Sequence, residues 1–219
     1  MGKVLILVEG QTEEKFVKEV LNPHLNNYGK YLIPTLLRTK IVKSGPNFKG
    51  GIISYTQVRR DLMRLLGDTS ALRVTTMFDL YGLPGEFPGR QDAPAAPYDK
   101  VQYIENAFRQ DINHPKFLVN LTLHEFEGLL FSKPAEIARA LYDPDKELEL
   151  TKIRASFKTP EEINDNPKTA PSKRLEGIFP MYNKPFYGMV ISKRIGLHAI
   201  CAECPHFHQW VSRLENLES

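Results

Sequence analysis

Five acidic residues, Glu9, Glu13, Asp79, Glu125 and Glu127, share one setting: each follows closely on an apolar run that reads as a buried strand. The stretch KVLILVEGQTEEKF at residues 3–16 sets the pattern. Residues 4–8 form an uninterrupted apolar run suited to a parallel strand covered on both faces, and it stops at Glu9-Gly10, where helical spacing begins. An acid there is held by the strand and left accessible by the following loop, which is where ligands gather in open α/β sheets. Glu13 falls in the first turn of a helix starting near Thr12, close above Glu9. Two carboxylates at one strand end suit a hard divalent cation such as Mg²⁺ or Mn²⁺. Glu13 and Glu14 also fit a plainer role, complementing the positive end of that helix. Glu9, on the strand side of the turn, does not.

The arrangement recurs. RVTTMF at residues 73–78 reads as a strand ending at Asp79, before a turn with Gly82 and Pro84, and residues 117–123 read as a fourth core strand followed by His124, Glu125, Phe126 and Glu127. If these strands are neighbours, Glu9 and Asp79 converge on one crevice. Each acid alone could be a helix N-terminal charge, and Glu125 or Glu127 before Leu129 and Leu130 fits that reading. Three such ends at one sheet edge are more simply explained by one metal site. His124 is a candidate ligand, base or substrate contact, and equally a histidine hydrogen-bonded at the sheet edge.

The elements that must position these acids follow from periodicity. Residues 12–25 carry Phe16, Val17, Val20, Leu21 and Leu25 at helical spacing, with Thr12 offering an N-cap oxygen. Residues 31–37 and then 40–43 read as a second strand, broken by Ser44-Gly45-Pro46-Asn47. After a loop at 48–51, in which Gly50-Gly51 could admit a phosphate, residues 52–66 form a helix with Val58, Leu62, Leu65 and Leu66 inward. Arg59, Arg60 and Arg64 fall off that stripe, facing solvent or phosphate. The Pro-, Gly- and Ala-rich residues 83–97 read as a long surface loop beside the crevice, and 98–109 as an amphipathic helix. The expected fold is α/β, a mainly parallel four-stranded sheet flanked by helices over residues 1–142. A helical C-terminal extension, 143–219, packs on that core or continues it.

Composition excludes more than it assigns. The chain has 219 residues, 42% hydrophobic and 25% charged, with a net charge of +3, so any nucleic-acid contact must come from local patches. There is no apolar run long enough for a membrane span and no secretory prefix, so a cytoplasmic location with reduced Cys201 and Cys204 is expected.

Taken in order, VEGQTEE, MFDLYG and LHEFEGLLF after strands one, three and four, then APSKRLEGIF at 170–179 and CPHFHQW at 204–210, resemble the Toprim-fold family of domain of unknown function 4276. That family resembles the Toprim domains of the overcoming-lysogenization-defect (OLD) nucleases. The resemblance spans nearly the whole chain. It implies a Rossmann-like sheet and Mg²⁺-dependent phosphodiester chemistry on DNA or RNA, sometimes beside an ATPase partner in genome or phage defence, with a homo-oligomer as a further possibility. Carried over, Glu9 matches the strand-one glutamate and Glu13 the acid after it. Asp79 matches the first acid of an Asp-x-Asp motif, and Glu125 and Glu127 the acids after strand four. The second acid of Asp-x-Asp falls at Tyr81, which cannot serve as a hard metal ligand at neutral pH. Either Glu125 or Glu127 supplies that oxygen, the site holds one metal, or the fold is kept without the chemistry and serves as a binding or regulatory subunit.

In the C-terminal third, Lys173 and Arg174, then Lys184, Lys193 and Arg194, are candidate phosphate contacts, with Lys173 favoured because it lies in a family-like motif. Residues 143–171 read as a connection with short helices, and 185–195 and 207–217 as helices. His198, Cys201, Cys204, His206 and His208 make a zinc site conceivable, though so compact a stretch is strained for tetrahedral geometry, and Cys201-x-x-Cys204 could be redox-active but lacks a thioredoxin-like context; packing cysteines are the preferred reading.

Overall fold

Val4, Ile6 and Val8 are buried in one apolar core and Leu5 and Leu7 in another, so the N-terminal run fills both faces of a sheet. The computed structural model describes residues 1–37, 52, 54–163 and 168–218. Strand β1 (Gly2–Val8) is followed by α1 (Gln11–Phe16), a π-helical turn at Val17–Leu21, α2 (Asn22–Asn26) and β2 (Lys30–Leu36). Next come α3 (Tyr55–Leu66), β3 (Ala71–Asp79), α4 (Pro97–Ile112), β4 (Phe117–Leu118) and β5 (Leu121–Thr122). The sheet order is β2-β1-β3-β4, with β5 also against β3, and every one of these pairs is parallel. Because β2 lies on one side of β1 and β3 on the other, the order reverses between β1 and β3. That is the topological switch point of an open α/β sheet.

The first core packs α1 and α2 against the remaining helices: α5 (Pro134–Ala140), α6 (Glu147–Ala155), α7 (Pro171–Ile178), α8 (Lys184–Ile195), α9 (Leu197–Glu203) and α10 (Pro205–Glu215). A seven-residue 3₁₀ helix at Phe126–Ser132 precedes them, and short 3₁₀ turns at Pro144–Lys146 and Pro160–Glu162 lie between them. Leu150, Ile191 and Trp210 share this core with Val4 and Phe16, and the Trp210 indole N–H donates to Thr75 Oγ1 on β3 at 3.0 Å. Residues beyond 142 therefore complete the cover of one sheet face. The opposite face is covered by α3 and α4, with Val58, Leu62, Ile104 and Phe108 inward.

Several local expectations are corrected. Thr12 is not the cap of the first helix: Gly10 holds that position in extended backbone, and Thr12 is buried inside the helix. The helix expected over 12–25 contains the π-helical turn, where Asn22 N–H bonds Val17 O, five residues back. Pro23 supplies the reason, since it lacks an N–H and its ring crowds the carbonyl four residues before it. The fourth strand is two short pieces. Asn120 interrupts it by donating Nδ2–H to Thr76 O at 3.1 Å, while Thr76 Oγ1 donates to Asn120 O at 2.6 Å. Residues 83–96 are irregular as expected, Pro97 already opening α4, but they are not merely superficial, because Leu83 and Phe87 are buried and Phe87 packs edge-on against Phe108. The helix expected from 52 begins at Tyr55 behind Ser54, whose Oγ accepts Gln57 N–H. The strand proposed at 40–43, the break at 44–47 and the Gly50-Gly51 loop lie outside the described residues. Among the described residues no helix is long and apolar enough to cross a membrane.

Candidate functional site

Glu9 and Asp79 stand at the C-terminal ends of neighbouring strands, on the two sides of the switch point, because β1 pairs with β3 in register up to Val8 and Met77. Their tips are joined directly: Glu9 Oε2 accepts the Asp79 backbone N–H at 3.2 Å. A methyl group on Gly82 would stand 3.3 Å from Glu9 Oε1, so the glycine keeps the turn after β3 clear of that carboxylate. Asp79 Oδ1 accepts Phe126 N–H at 2.9 Å, which draws the start of the Phe126–Ser132 turn, and with it Glu127, to the same edge.

The other acids arrive by different routes. Glu13 is buried in the third helical position after Gly10, and backbone N–H groups of Gly10 and Glu13 steady its carboxylate, so it also caps α1. Glu125 Oε2 accepts Ser172 N–H at 3.0 Å, capping α7 rather than its own turn. Between them, His124 is half-buried with φ of 63°, a left-handed conformation, and its C=O accepts Tyr81 N–H at 3.0 Å. Glu127 is fully buried.

One cation enters this group. Lys184 Nζ lies 2.9 Å from Glu127 Oε2 and 4.0 Å from Asp79 Oδ2, and Tyr182 OH is 3.5 Å from Glu127 Oε1. The electrostatics follow. Loss of hydration, with Glu13 adding, pushes the Glu9 carboxyl up to about 7, although the Asp79 N–H and Lys184 oppose the shift. Burial raises Asp79 well above the usual carboxylate range; Lys184 opposes it, and Glu9, Glu13 and Glu127 add to it. Burial likewise raises Glu13 and Glu127. Burial would lower Lys184, but Glu127 and Asp79 outweigh it and hold the ammonium above its ordinary range. Among the described residues the edge therefore gathers more carboxyl groups than Lys184 can pair, and their raised pKa values are the consequence of burial and of that crowding.

The donors are hard oxygens only, so their chemistry fits Mg²⁺ or Mn²⁺. Among the described residues no three His, Cys, Asp or Glu side chains converge with ligand geometry as they stand. Tyr81, which stands where the motif would have its second acid, is 40% exposed.

The remaining candidates are placed as follows. Lys173 is exposed and pairs with Glu176 at 2.6 Å, within electrostatic reach of Glu125. Arg174 Nε donates to Thr169 O and its guanidinium lies over the Phe157 ring. Arg59 and Arg60, on α3, engage Asp111 and Gln57. Cys201 and Cys204 are free thiols; Cys204 belongs to the first core, and burial pushes Cys201 up to about 12. The residue that sequence reasoning ranked too low is Lys184. A signal was present: Asn183 caps α8, so Lys184 is a cation in a helix's first turn, where the macrodipole disfavours it unless acids stand nearby.

Comparison with known proteins sets these residues in context. No curated protein matches the chain significantly. Among solved structures, the chain is similar to the C-terminal region of the Burkholderia pseudomallei OLD protein (14% identity, 99% of this chain and 98% of that chain, TM-score 0.49). It is also similar to the C-terminal region of the Xanthomonas campestris pv. campestris OLD protein (15% identity, 99% and 95%, TM-score 0.42). A family model covers residues 8–215, from the last residue of β1 to the last of α10, and the chain belongs to the family described as domain of unknown function (DUF4276).

Proposed function

We propose that this chain is a metal-dependent phosphodiesterase acting on nucleic acid, with its centre at the β1–β3 switch point. The observation that carries the reading is that Glu9, Asp79 and Glu127, from three segments of the chain, are brought to one sheet edge, with Asp79 and Glu127 buried and Glu9 half-buried. Glu9 and Asp79 would be the principal Mg²⁺ or Mn²⁺ ligands. Glu127 would take the place left by Tyr81, and Glu13 and Glu125 would contribute where their capping bonds leave an oxygen free. A bound divalent cation supplies Lewis acidity at a phosphoryl oxygen and a nucleophilic water. The chain's own residues do the rest. The strand ends fix the carboxylates, Gly82 keeps the approach open, and Lys184 offers an ammonium to the charge that develops on a phosphate. Lys173, exposed at the start of α7, and His124 are further contacts for a substrate backbone. Association with an ATPase partner, implied by the Toprim-like resemblance, belongs to the same proposal.

One observation favours a second reading, a non-catalytic binding or regulatory subunit: Lys184 already places a cation among Asp79 and Glu127. Cleavage of single- and double-stranded DNA and RNA in Mg²⁺ or Mn²⁺ separates the two. Glu9→Gln and Asp79→Asn should each lower the rate by about 100-fold or more, a loss of at least ~2.7 kcal/mol of transition-state stabilisation. Equal residual rates in wild type and variants, with no Mn²⁺ bound at the strand edge in a soaked crystal, would remove the catalytic reading.

A further inference from the structure

A second cleft, of about 700 Å³, lies away from the carboxylate edge. Its floor is Phe117 and Leu118 of β4 with Val119 just after it. Strand β4 pairs with β3 on one side and is the end strand of the sheet; on its other side the Phe117 N–H donates to His114 O at 3.0 Å, while Phe117 C=O and the Val119 main chain face outward. One wall is α4, presenting Gln102, Asn106 and Arg109, and the other is α10, presenting Gln209 and Arg213. The volume lies within the roughly 300–1,000 Å³ of clefts that bind ligands.

The walls are held in place. His206 Nε2, on α10, lies 3.1 Å from Glu105 Oε1 on α4 and 3.1 Å from Leu121 O on β5. Glu161 accepts the backbone N–H groups of His206 and Phe207 at 3.0 and 2.9 Å, fixing the start of α10. The groove is therefore formed before anything enters it, which lowers the ordering cost of binding.

Direction can be read from the connections. Because β3 and β4 are parallel, α4 returns against them, so Arg109 in its last turn stands near the beginning of β4. Along α10, His206 touches Leu121 after β4 and Trp210 touches Thr75 beside it, so Arg213 stands toward the same beginning. Arg109 donates to Asn106 at 3.4 Å, and among the described residues no ion pair to an acid is seen for either guanidinium. Both arginines also suit the C-terminal ends of their helices, but that role does not require two of them at one cleft beside the end strand of the sheet.

We propose that this groove binds an extended peptide segment of a partner protein, added as a strand to β4, with its terminal carboxylate held between Arg109 and Arg213. An added strand running antiparallel to β4 would end at the arginines. The amides of Gln102, Asn106 and Gln209 face its flanks, and main-chain pairing supplies affinity in such additions. A nucleic-acid strand fits less well, since the floor is apolar and the buried acid Glu105 stands at the other end.

The test uses the full chain, isotopically labelled and followed by NMR. The probes are acetyl-Val-Thr-Val-Thr-Val with a free carboxylate, the same peptide as its C-terminal amide, and a single-stranded DNA pentamer. The expected result is that the carboxylate peptide shifts the amide signals of Phe117, Leu118 and Val119 and binds about tenfold tighter than the amide form. The double substitution Arg109→Ala and Arg213→Ala, both at exposed positions, should abolish that difference while leaving the rest of the spectrum in place. The proposal is overturned by equal affinity for the two peptides, by unmoved signals for residues 117–119 at about 5 mM peptide, or by displacement of those signals by DNA alone.

Discussion

At the residue scale, the Lys184–Glu127 pair decides how the acidic edge survives in the folded chain. Glu127 is fully buried, and Lys184 is its only short ionic contact among the described residues, so Lys184→Met leaves a buried carboxylate without a counter-charge. The ammonium side chain is 37% exposed, which places the cost below the 3–5 kcal/mol of a fully buried pair. We expect about 2 kcal/mol in urea denaturation, with Glu127→Gln added to Lys184→Met recovering most of it. Asp79 predicts the opposite sign. Its carboxylate is repelled by Glu9, Glu13 and Glu127. An asparagine keeps the Phe126 bond through its own oxygen, so Asp79→Asn in chelator should raise Tm by about 2–4 °C while removing metal-dependent activity. A fall in Tm would show that the Lys184 contact outweighs the repulsion.

At the element scale, α8 is set by how closely it approaches α1. A methyl group on Gly188 would lie 3.1 Å from Thr12 Cγ2, buried in α1, and 3.2 Å from Phe126 Cε1, in the packed first core. Gly188→Ala should therefore cost about 1–3 kcal/mol by overpacking, and it should displace the helix that carries Lys184, so activity falls along with stability. The seam between α4 and α10 responds instead to pH. Burial would lower the His206 pKa, but the Glu105 contact, reinforced by Glu161, holds it above its ordinary value near 6.5. The protonated form is thus favoured in the folded state, and its contribution is complete below about 6.5 and lost as pH rises through the raised folded value. Comparing Tm of wild type with His206→Gln from pH 6 upward should show a gap that narrows with pH; a constant gap would assign the effect to packing alone.

At the scale of the whole molecule, a net charge of +3 conceals a local cluster of acidic residues, and ligand linkage would test whether it binds a cation. Mg²⁺ or Mn²⁺ bound only by the folded chain should stabilise it by about 2.7 kcal/mol at 100 times Kd, a rise in Tm that Asp79→Asn removes. The same rise in the variant would locate the cation elsewhere. The sequence by itself determined which acids stand at the ends of β1 and β3: the short apolar runs before Glu9 and Asp79 suit interior strands covered on both faces, and each stops at its acid. It also located the helices, because Val58, Leu62, Leu65 and Leu66 recur at helical spacing, as do Val101, Ile104 and Phe108, and Trp210, Val211 and Leu214. Side-chain and backbone bonding decided what periodicity cannot carry, namely the π-turn before Pro23, the break at Asn120 and the cap at Gly10. Only the tertiary structure decided that Lys184 rather than Lys173 faces Asp79 and Glu127, and that Glu125 caps a helix some 47 residues further along the chain. Those contacts join segments far apart in sequence, so their partners are chosen by how α7 and α8 pack on the finished sheet and by no pattern within either segment.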